Sequence, residues 1–135
     1  MTPDLYYLAY SAVLTALLWV PYVLGQFLVE GPPRPGRYRD PTPPELPNWV
    51  RRCNRAHQNA VENLNPFAAV VMISHVAHIS NPVTAMWAAT FFWSRVAHAV
   101  IMWLGIPYLR TVAFLASILA TFGIFWEIVI FVPPG

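Results

Sequence analysis

Four polar side chains in the second quarter of the chain are spaced so that they share one face of a helix. Arg51, Arg55, Asn59 and Glu62 follow one another at intervals of four, four and three residues, which places them within roughly 80° on an α-helix. Arginine binds carboxylates through forked hydrogen bonds, glutamate binds an ammonium group, and asparagine binds a peptide bond. This face therefore predicts a binding site for a small zwitterionic peptide.

A second polar pair, Arg95 and His98, lies three residues apart in a segment that is otherwise uncharged. A charged side chain in such an apolar setting is costly unless it faces a partner or a wet cavity. We therefore expect a buried ion pair between Arg95 and Glu62. The alternative is that all these polar residues only hold helices together through hydrogen bonds between them.

The elements that must position these residues are apolar helices. Of the 135 residues, 57% are hydrophobic and 10% are charged, and the mean hydropathy is +0.48, which indicates a membrane protein. Residues 5–29 carry no charge and would form a helix of ~37 Å, enough to cross a hydrocarbon core of about 30 Å. Pro21 and Gly25 are expected to kink this helix. Three more spans are predicted, at about residues 65–80, 82–106 and 108–132.

The predicted fold is an all-α, integral membrane four-helix bundle that forms one domain over residues 1–135. The apolar residues of the second span alone are too few to cross a membrane, so its helix must begin within the polar stretch 51–67. Residues 30–48 are rich in proline and are expected to form a loop. Short turns are predicted at 80–82 and 105–107.

The positions of the basic residues predict how the bundle is oriented in the membrane. All eight are arginines, and most of them lie in or beside two loops. The first and third loops lie on one side of a four-span protein, and the second loop has no Lys or Arg. By the positive-inside rule the arginine-rich side is cytoplasmic, and both termini are outside. The arginines in or beside these two loops are Arg34, Arg37, Arg39, Arg51, Arg52 and Arg110.

Other features of the sequence exclude several classes of site. Cys53 is the only cysteine, so there is no intrachain disulfide and no cysteine-based metal site. His75 and His78 share a helix face, but two histidines without a carboxylate do not predict a metal site. The net charge of +2 is too small to indicate a nucleic-acid partner.

Three short motifs resemble one membrane-protein family. RAHQNAVEN at 55–63 is similar to the R-A-x-x-N-x-x-E signature of the MAPEG superfamily, the membrane-associated proteins in eicosanoid and glutathione metabolism. RVAHAV at 95–100 and RTVAF at 110–114 resemble its third-helix and fourth-helix motifs. The resemblance implies a homotrimer of four-helix subunits, with glutathione or another small thiol bound between neighbouring subunits. The chain resembles a bacterial-type member of this superfamily, which implies a multi-pass protein of the bacterial inner membrane.

The resemblance also implies a role for each matching residue. Arg110 matches the arginine that lies near the glutathione sulfur in family enzymes and is the expected catalytic residue. A nearby cation lowers the pKa of a thiol, and the thiolate attacks an electrophile or a peroxide. The expected function is a glutathione-dependent membrane transferase or peroxidase acting on lipophilic substrates. The implied glutathione-binding residues are Arg55, Asn59, Glu62, Arg95 and His98.

Two positions depart from the pattern of the family enzymes. Met102, seven residues after Arg95, and Asn63, directly after Glu62, stand where those enzymes often carry tyrosine. Two other functions therefore remain open: a non-catalytic membrane protein of this fold with an assembly role, and a small oligomeric transporter. Glutathione binding would separate the enzyme from the assembly protein, and solute flux in liposomes would identify a transporter.

Overall fold

The computed structural model describes residues 1–32, 35–38 and 45–131, and within these residues it is helical without strands. Two consecutive helices, with a single residue between them, form the first long helix of a four-helix bundle. The predicted all-α bundle is therefore confirmed. The helices are α1 (Pro3–Leu17), α2 (Trp19–Glu30), α3 (Asn48–Val76), α4 (Pro82–Leu104) and α5 (Leu109–Phe131), with a short 3-10 helix at Pro35–Tyr38.

The first long helix is interrupted at Leu18, three residues before Pro21. Proline has no N–H to donate to the carbonyl of Leu17, and its ring crowds that carbonyl, so the interruption falls one turn before the proline. Gly25 was expected to be a second kink, but it lies inside α2. A Cβ atom there would come within 2.6 Å of the Trp49 ring, so this glycine lets α2 pack closely on α3.

Helix α3 joins the polar stretch to the second apolar segment. It begins at Asn48 and runs for 29 residues. The helix of the second span therefore starts upstream of its apolar residues, as expected, but three residues before the stretch 51–67 in which its start was predicted. Pro66 lies inside it and leaves the carbonyl of Glu62 without its usual intrahelical hydrogen bond. Because α3 contacts each of the other four helices, residues along its whole length are held against the rest of the bundle.

The turn between α3 and α4 is fixed by a capping box. The Asn81 side chain accepts hydrogen bonds from the N–H groups of Val83 (2.7 Å) and Thr84 (3.0 Å), and Thr84 Oγ1 accepts from the Asn81 N–H (2.9 Å). Asn81 Nδ2 also donates to Glu127 Oε2 (3.0 Å), which joins α5 to this turn. At its other end α4 stops at Gly105, whose φ of 74° suits glycine. Both short turns predicted from the sequence are confirmed.

The hydrophobic core fills the half of the bundle that contains the C-terminal part of α3. Phe67 of α3 and Phe91 of α4 stack there with their ring centroids 3.7 Å apart. The polar residues of α3 precede this cluster by one or more turns, and a smaller buried cluster of Leu18, Ala60 and Ala99 lies nearer their level. The buried residues of the larger cluster are Phe67, Val71, Ala88, Phe91, Ala120 and Ile124.

Two helical segments are long and apolar enough to cross a membrane by length and composition alone. They are Pro3–Glu30, with a mean hydropathy of 1.9, and Leu109–Phe131, with 2.1. Helices α3 and α4 have 29 and 23 residues but carry the polar residues described above. The orientation of the bundle stays a prediction, and two of its arginines, Arg34 and Arg39, lie outside the described residues.

Candidate functional site

A groove of ≈370 Å³ opens between the N-terminal half of α3, the end of α4 and the start of α5. Its volume falls in the range of about 300–1,000 Å³ that is typical of small-molecule sites. The side of the groove that α3 forms is entirely polar. The predicted polar face of this helix therefore faces a cavity, and the residues it contributes are Arg55, Gln58, Asn59 and Glu62.

Arg51 shares this helix face but does not line the groove, and Gln58 lines the groove although it was not predicted. Arg51 is exposed and lies one turn before Arg55, beyond the end of the groove. Gln58 lines the groove because it lies three residues after Arg55 and four before Glu62, on the same helix face. Its spacing places it on this face, but a neutral amide indicates a binding site less strongly than a charged side chain does.

The remaining sides of the groove come from α4 and α5. His98 and Met102 of α4 line it together with Arg110, Thr111 and Phe114 of α5. Arg110 Nη1 lies 3.9 Å from Met102 Sδ, a weak hydrogen-bond acceptor. Thr111 and Phe114 were not predicted, although Phe114 follows Arg110 by four residues and so shares its face. The structure therefore brings Arg110 to the same cavity as the polar face of α3.

Arg95 lies behind the groove, and its predicted ion pair with Glu62 is not formed. Its side chain is only 3% exposed, and Nη2 donates a hydrogen bond to Asn59 Oδ1 (2.8 Å). Its Nε and Nη1 atoms have no hydrogen-bond partner among the described residues. The prediction was wrong about the partner: a neutral amide one turn earlier on α3 takes the place expected for the carboxylate.

The difference has a physical reason in the cost of burying charge. Glu62 is exposed at the groove, where water or a ligand can solvate it. Moving its carboxylate against Arg95 would desolvate a second charge.

Asn63 is buried on the core side of the helix and donates a hydrogen bond from Nδ2 to the Asn59 carbonyl (2.7 Å). The residue that replaces the family tyrosine thus bonds to its own helix.

His98 links Arg95 to the groove. Its Nδ1 atom lies 3.5 Å from Arg95 Nη2, and an arginine nitrogen can only donate. We therefore assign Nδ1 as the acceptor and place the ring proton on Nε2. His98 is 4% exposed but lines the groove, so Nε2–H is the donor it offers to a ligand.

The charged residues of the groove are available for a ligand. Within the part of the chain that the structure describes, neither Arg55 nor Glu62 has a hydrogen-bond or ion-pair partner. The groove therefore offers two cations, Arg55 and Arg110, and one anion in the same cavity. No group of three histidine, cysteine or acidic side chains that could hold a metal ion occurs in residues 1–32, 35–38 and 45–131.

The described helices form a bundle with a polar groove, and the family of the chain identifies it as a helical membrane protein. A sequence model of the MAPEG family matches residues 5–130, nearly the whole chain, and the chain belongs to this family. No curated protein matches the chain. The matched region contains each of the site residues expected from the resemblance, namely Arg55, Asn59, Glu62, Arg95, His98 and Arg110.

Proposed function

We propose that the groove binds glutathione or another small thiol peptide, and that the protein acts as a membrane transferase or peroxidase on lipophilic substrates. One observation carries the proposal: a single cavity of ≈370 Å³ holds two arginines, two amides and a glutamate without a partner among the described residues. Membership of the MAPEG family supports the same general class of activity.

The groove residues fit the groups of such a peptide. Arg55 can bind a carboxylate through a forked pair of charge-assisted hydrogen bonds, and Glu62 can bind the ammonium group. Because Asn59 Oδ1 already accepts from Arg95, its Nδ2–H group remains to donate to a peptide carbonyl. The Gln58 amide and the His98 Nε2–H group add further donors.

Arg110 is the residue best suited to stabilise a thiolate. It lines the groove, and among the described residues its hydrogen-bond partner is the thioether of Met102, which leaves the charge of the guanidinium unneutralised. A bound thiol would supply the nucleophile that attacks an electrophile or a hydroperoxide. The guanidinium of Arg110 would stabilise the negative charge on the sulfur, and this lowers the pKa of the thiol.

We also propose that the protein works as a homotrimer in the lipid bilayer. The groove is open on one side of the single chain, and large apolar side chains such as Leu28 and Leu119 are exposed. A neighbouring subunit would close the groove and cover part of this surface. Native mass spectrometry of the detergent-solubilised protein should then give a mass three times that of the 15.3 kDa chain. A monomeric mass would contradict the trimer.

The binding proposal is tested by calorimetry of the detergent-solubilised protein with glutathione, its S-alkyl derivatives and other small thiols. Arg55→Ala should weaken binding by about 1.5–3 kcal/mol, roughly 10-fold to 150-fold, because a charge-assisted hydrogen bond is lost. Arg51→Ala is the matched control, since Arg51 is an exposed arginine one turn away that does not line the groove. The Arg51→Ala variant should bind each thiol with the same affinity as the parent protein.

The outcomes separate the possible functions. Absence of binding to every thiol in the series would contradict the proposal. Binding without conjugation or peroxide reduction would favour a non-catalytic protein of this family. Solute flux in liposomes that depends on Arg55 or Glu62 would instead indicate transport.

A further inference from the structure

A second, smaller pocket of ≈130 Å³ lies at the turn between α4 and α5. It shares two residues with the groove and adds an arginine of α3 together with three residues of the turn. At about 30 Å³ per water molecule it has room for roughly four waters. This volume is too small for a thiol peptide. The residues that line it are Arg52, Met102, Gly105, Ile106, Pro107 and Arg110.

The position of Arg52 is fixed by the end of α4. Its Nε atom donates a hydrogen bond to the Trp103 carbonyl (3.3 Å). Its guanidinium lies against Gly105, where a Cβ atom would come within 3.1 Å of Arg52 Cζ. Among the described residues, Nη1 and Nη2 of Arg52 have no hydrogen-bond partner. One edge of the guanidinium therefore binds the helix end, and two terminal nitrogens remain for a ligand.

The charges around the pocket select an anion. Two arginines line it, and none of the described residues that line it is a carboxylate. Arginine forks fit the oxygens of carboxylate and phosphate groups. Two fixed cations favour the phosphate, because a phosphate monoester carries more negative charge than a carboxylate.

The surroundings place the pocket where phosphate groups occur in a membrane. Helix α5, one of the two candidate spans, begins at Leu109, so the turn before it would lie at the boundary of a membrane that α5 crosses. Leu104 is 67% exposed and Tyr108 is 86% exposed, and both are of the type that contacts lipid at this level. An apolar surface thus adjoins an arginine-lined pocket.

We propose that this pocket binds a phosphate group, held between Arg52 and Arg110. A phosphatidic acid, whose phosphate is a monoester, would bring this phosphate to the arginines and lay its chains against the adjoining apolar surface. Free phosphate would satisfy the same two arginines without the chains. The pocket shares Arg110 with the thiol groove, but its ligand differs, and its occupancy can be measured without any thiol.

The test is a calorimetric titration of delipidated, detergent-solubilised protein with three compounds. These are inorganic phosphate, a short-chain phosphatidic acid, and a short-chain diacylglycerol that lacks the phosphate. The compounds with phosphate should bind, and diacylglycerol should not. Tighter binding of phosphatidic acid than of inorganic phosphate would identify lipid as the source, and equal affinities would show that the phosphate alone suffices.

Variants locate the binding. Arg52→Gln should weaken phosphate binding at least about tenfold, since a charge-assisted pair is lost, and Arg51→Gln, the neighbouring exposed arginine, should leave it unchanged. Because Arg52 also bonds to the end of α4, Ile106→Trp provides a second variant that fills the pocket and leaves that bond in place. Circular dichroism checks the fold of each variant. The proposal is overturned if neither phosphate compound binds the parent protein, if Arg51→Gln weakens binding as much as Arg52→Gln, or if the folded Ile106→Trp variant binds like the parent.

Discussion

Replacing Asn59 by leucine should destabilise the bundle far more than replacing Glu62 by glutamine. Arg95 is 3% exposed, and the one oxygen that accepts a hydrogen bond from it among the described residues is Asn59 Oδ1, at 2.8 Å. Leucine is similar in size to asparagine but has no acceptor. Asn59→Leu would therefore leave a buried guanidinium without an oxygen partner.

The size of the effect follows from the loss of that bond. A hydrogen bond to a charged group contributes about 1.5–3 kcal/mol, and a buried charge that loses its partner costs about 3–5 kcal/mol. We expect Asn59→Leu to lower the free energy of unfolding by about 1.5–5 kcal/mol, the span of these two ranges. Glu62→Gln alters an exposed side chain without a partner in the described chain, so its effect should stay within about 0.5 kcal/mol.

The assay is reversible unfolding in mixed detergent micelles, followed by the helical circular dichroism signal in the absence of thiols. Adding Arg95→Met to Asn59→Leu should restore most of the lost stability, because the unpaired charge is then removed. A loss of 3 kcal/mol or more for Glu62→Gln, with little effect of Asn59→Leu, would refute this reasoning. It would show that Arg95 pairs with Glu62, as the sequence alone predicted.

Two further substitutions test the packing and the groove. Gly25→Ala should cost about 1–3 kcal/mol of unfolding free energy by overpacking α2 against Trp49. Gly36→Ala, whose added Cβ would have no atom of the described residues within 4 Å, should change the free energy of unfolding by less than about 0.5 kcal/mol. Equal effects of the two substitutions would contradict the close packing at Gly25. Met102→Tyr should tighten thiol binding by about 0.5–1.5 kcal/mol in calorimetry, since a hydroxyl would join the groove. Met102→Leu is its control without a hydroxyl, and a tyrosine variant that binds no better than this control would refute the prediction.

The sequence predicted the helices well because their signals are local. Apolar runs separated by Pro, Gly and Asn determined the bundle, and the turns at 80–82 and 105–107 lie where these residues occur. The kink expected at Pro21 is present, but it lies at Leu18, because the proline affects a carbonyl four residues earlier. The close packing at Gly25 was not predicted, since it depends on Trp49 of another helix.

For the site, the helix face was predictable and the choice of partner was not. The spacing of Arg55, Asn59 and Glu62 places them on one face in any α-helix, and all three line the groove. Whether Arg95 meets Asn59 or Glu62 depends on the relative height of α3 and α4, which a single sequence does not encode locally. Opposite charges suggested Glu62, and the cost of desolvating a second charge favours the amide instead.

The central claim is that Arg110 stabilises a thiolate in the groove, and ultraviolet difference absorbance of bound thiolate tests it most directly. A free cysteine-type thiol has a pKa near 8.5, so at neutral pH little of it absorbs as thiolate in solution. Adding glutathione to the protein should produce a thiolate signal whose pH midpoint lies below that of free glutathione. The signal should persist in Arg51→Ala and disappear in Arg110→Ala, at thiol concentrations that keep each protein saturated. An Arg110→Ala variant that binds glutathione and still shows the full thiolate signal would contradict the account.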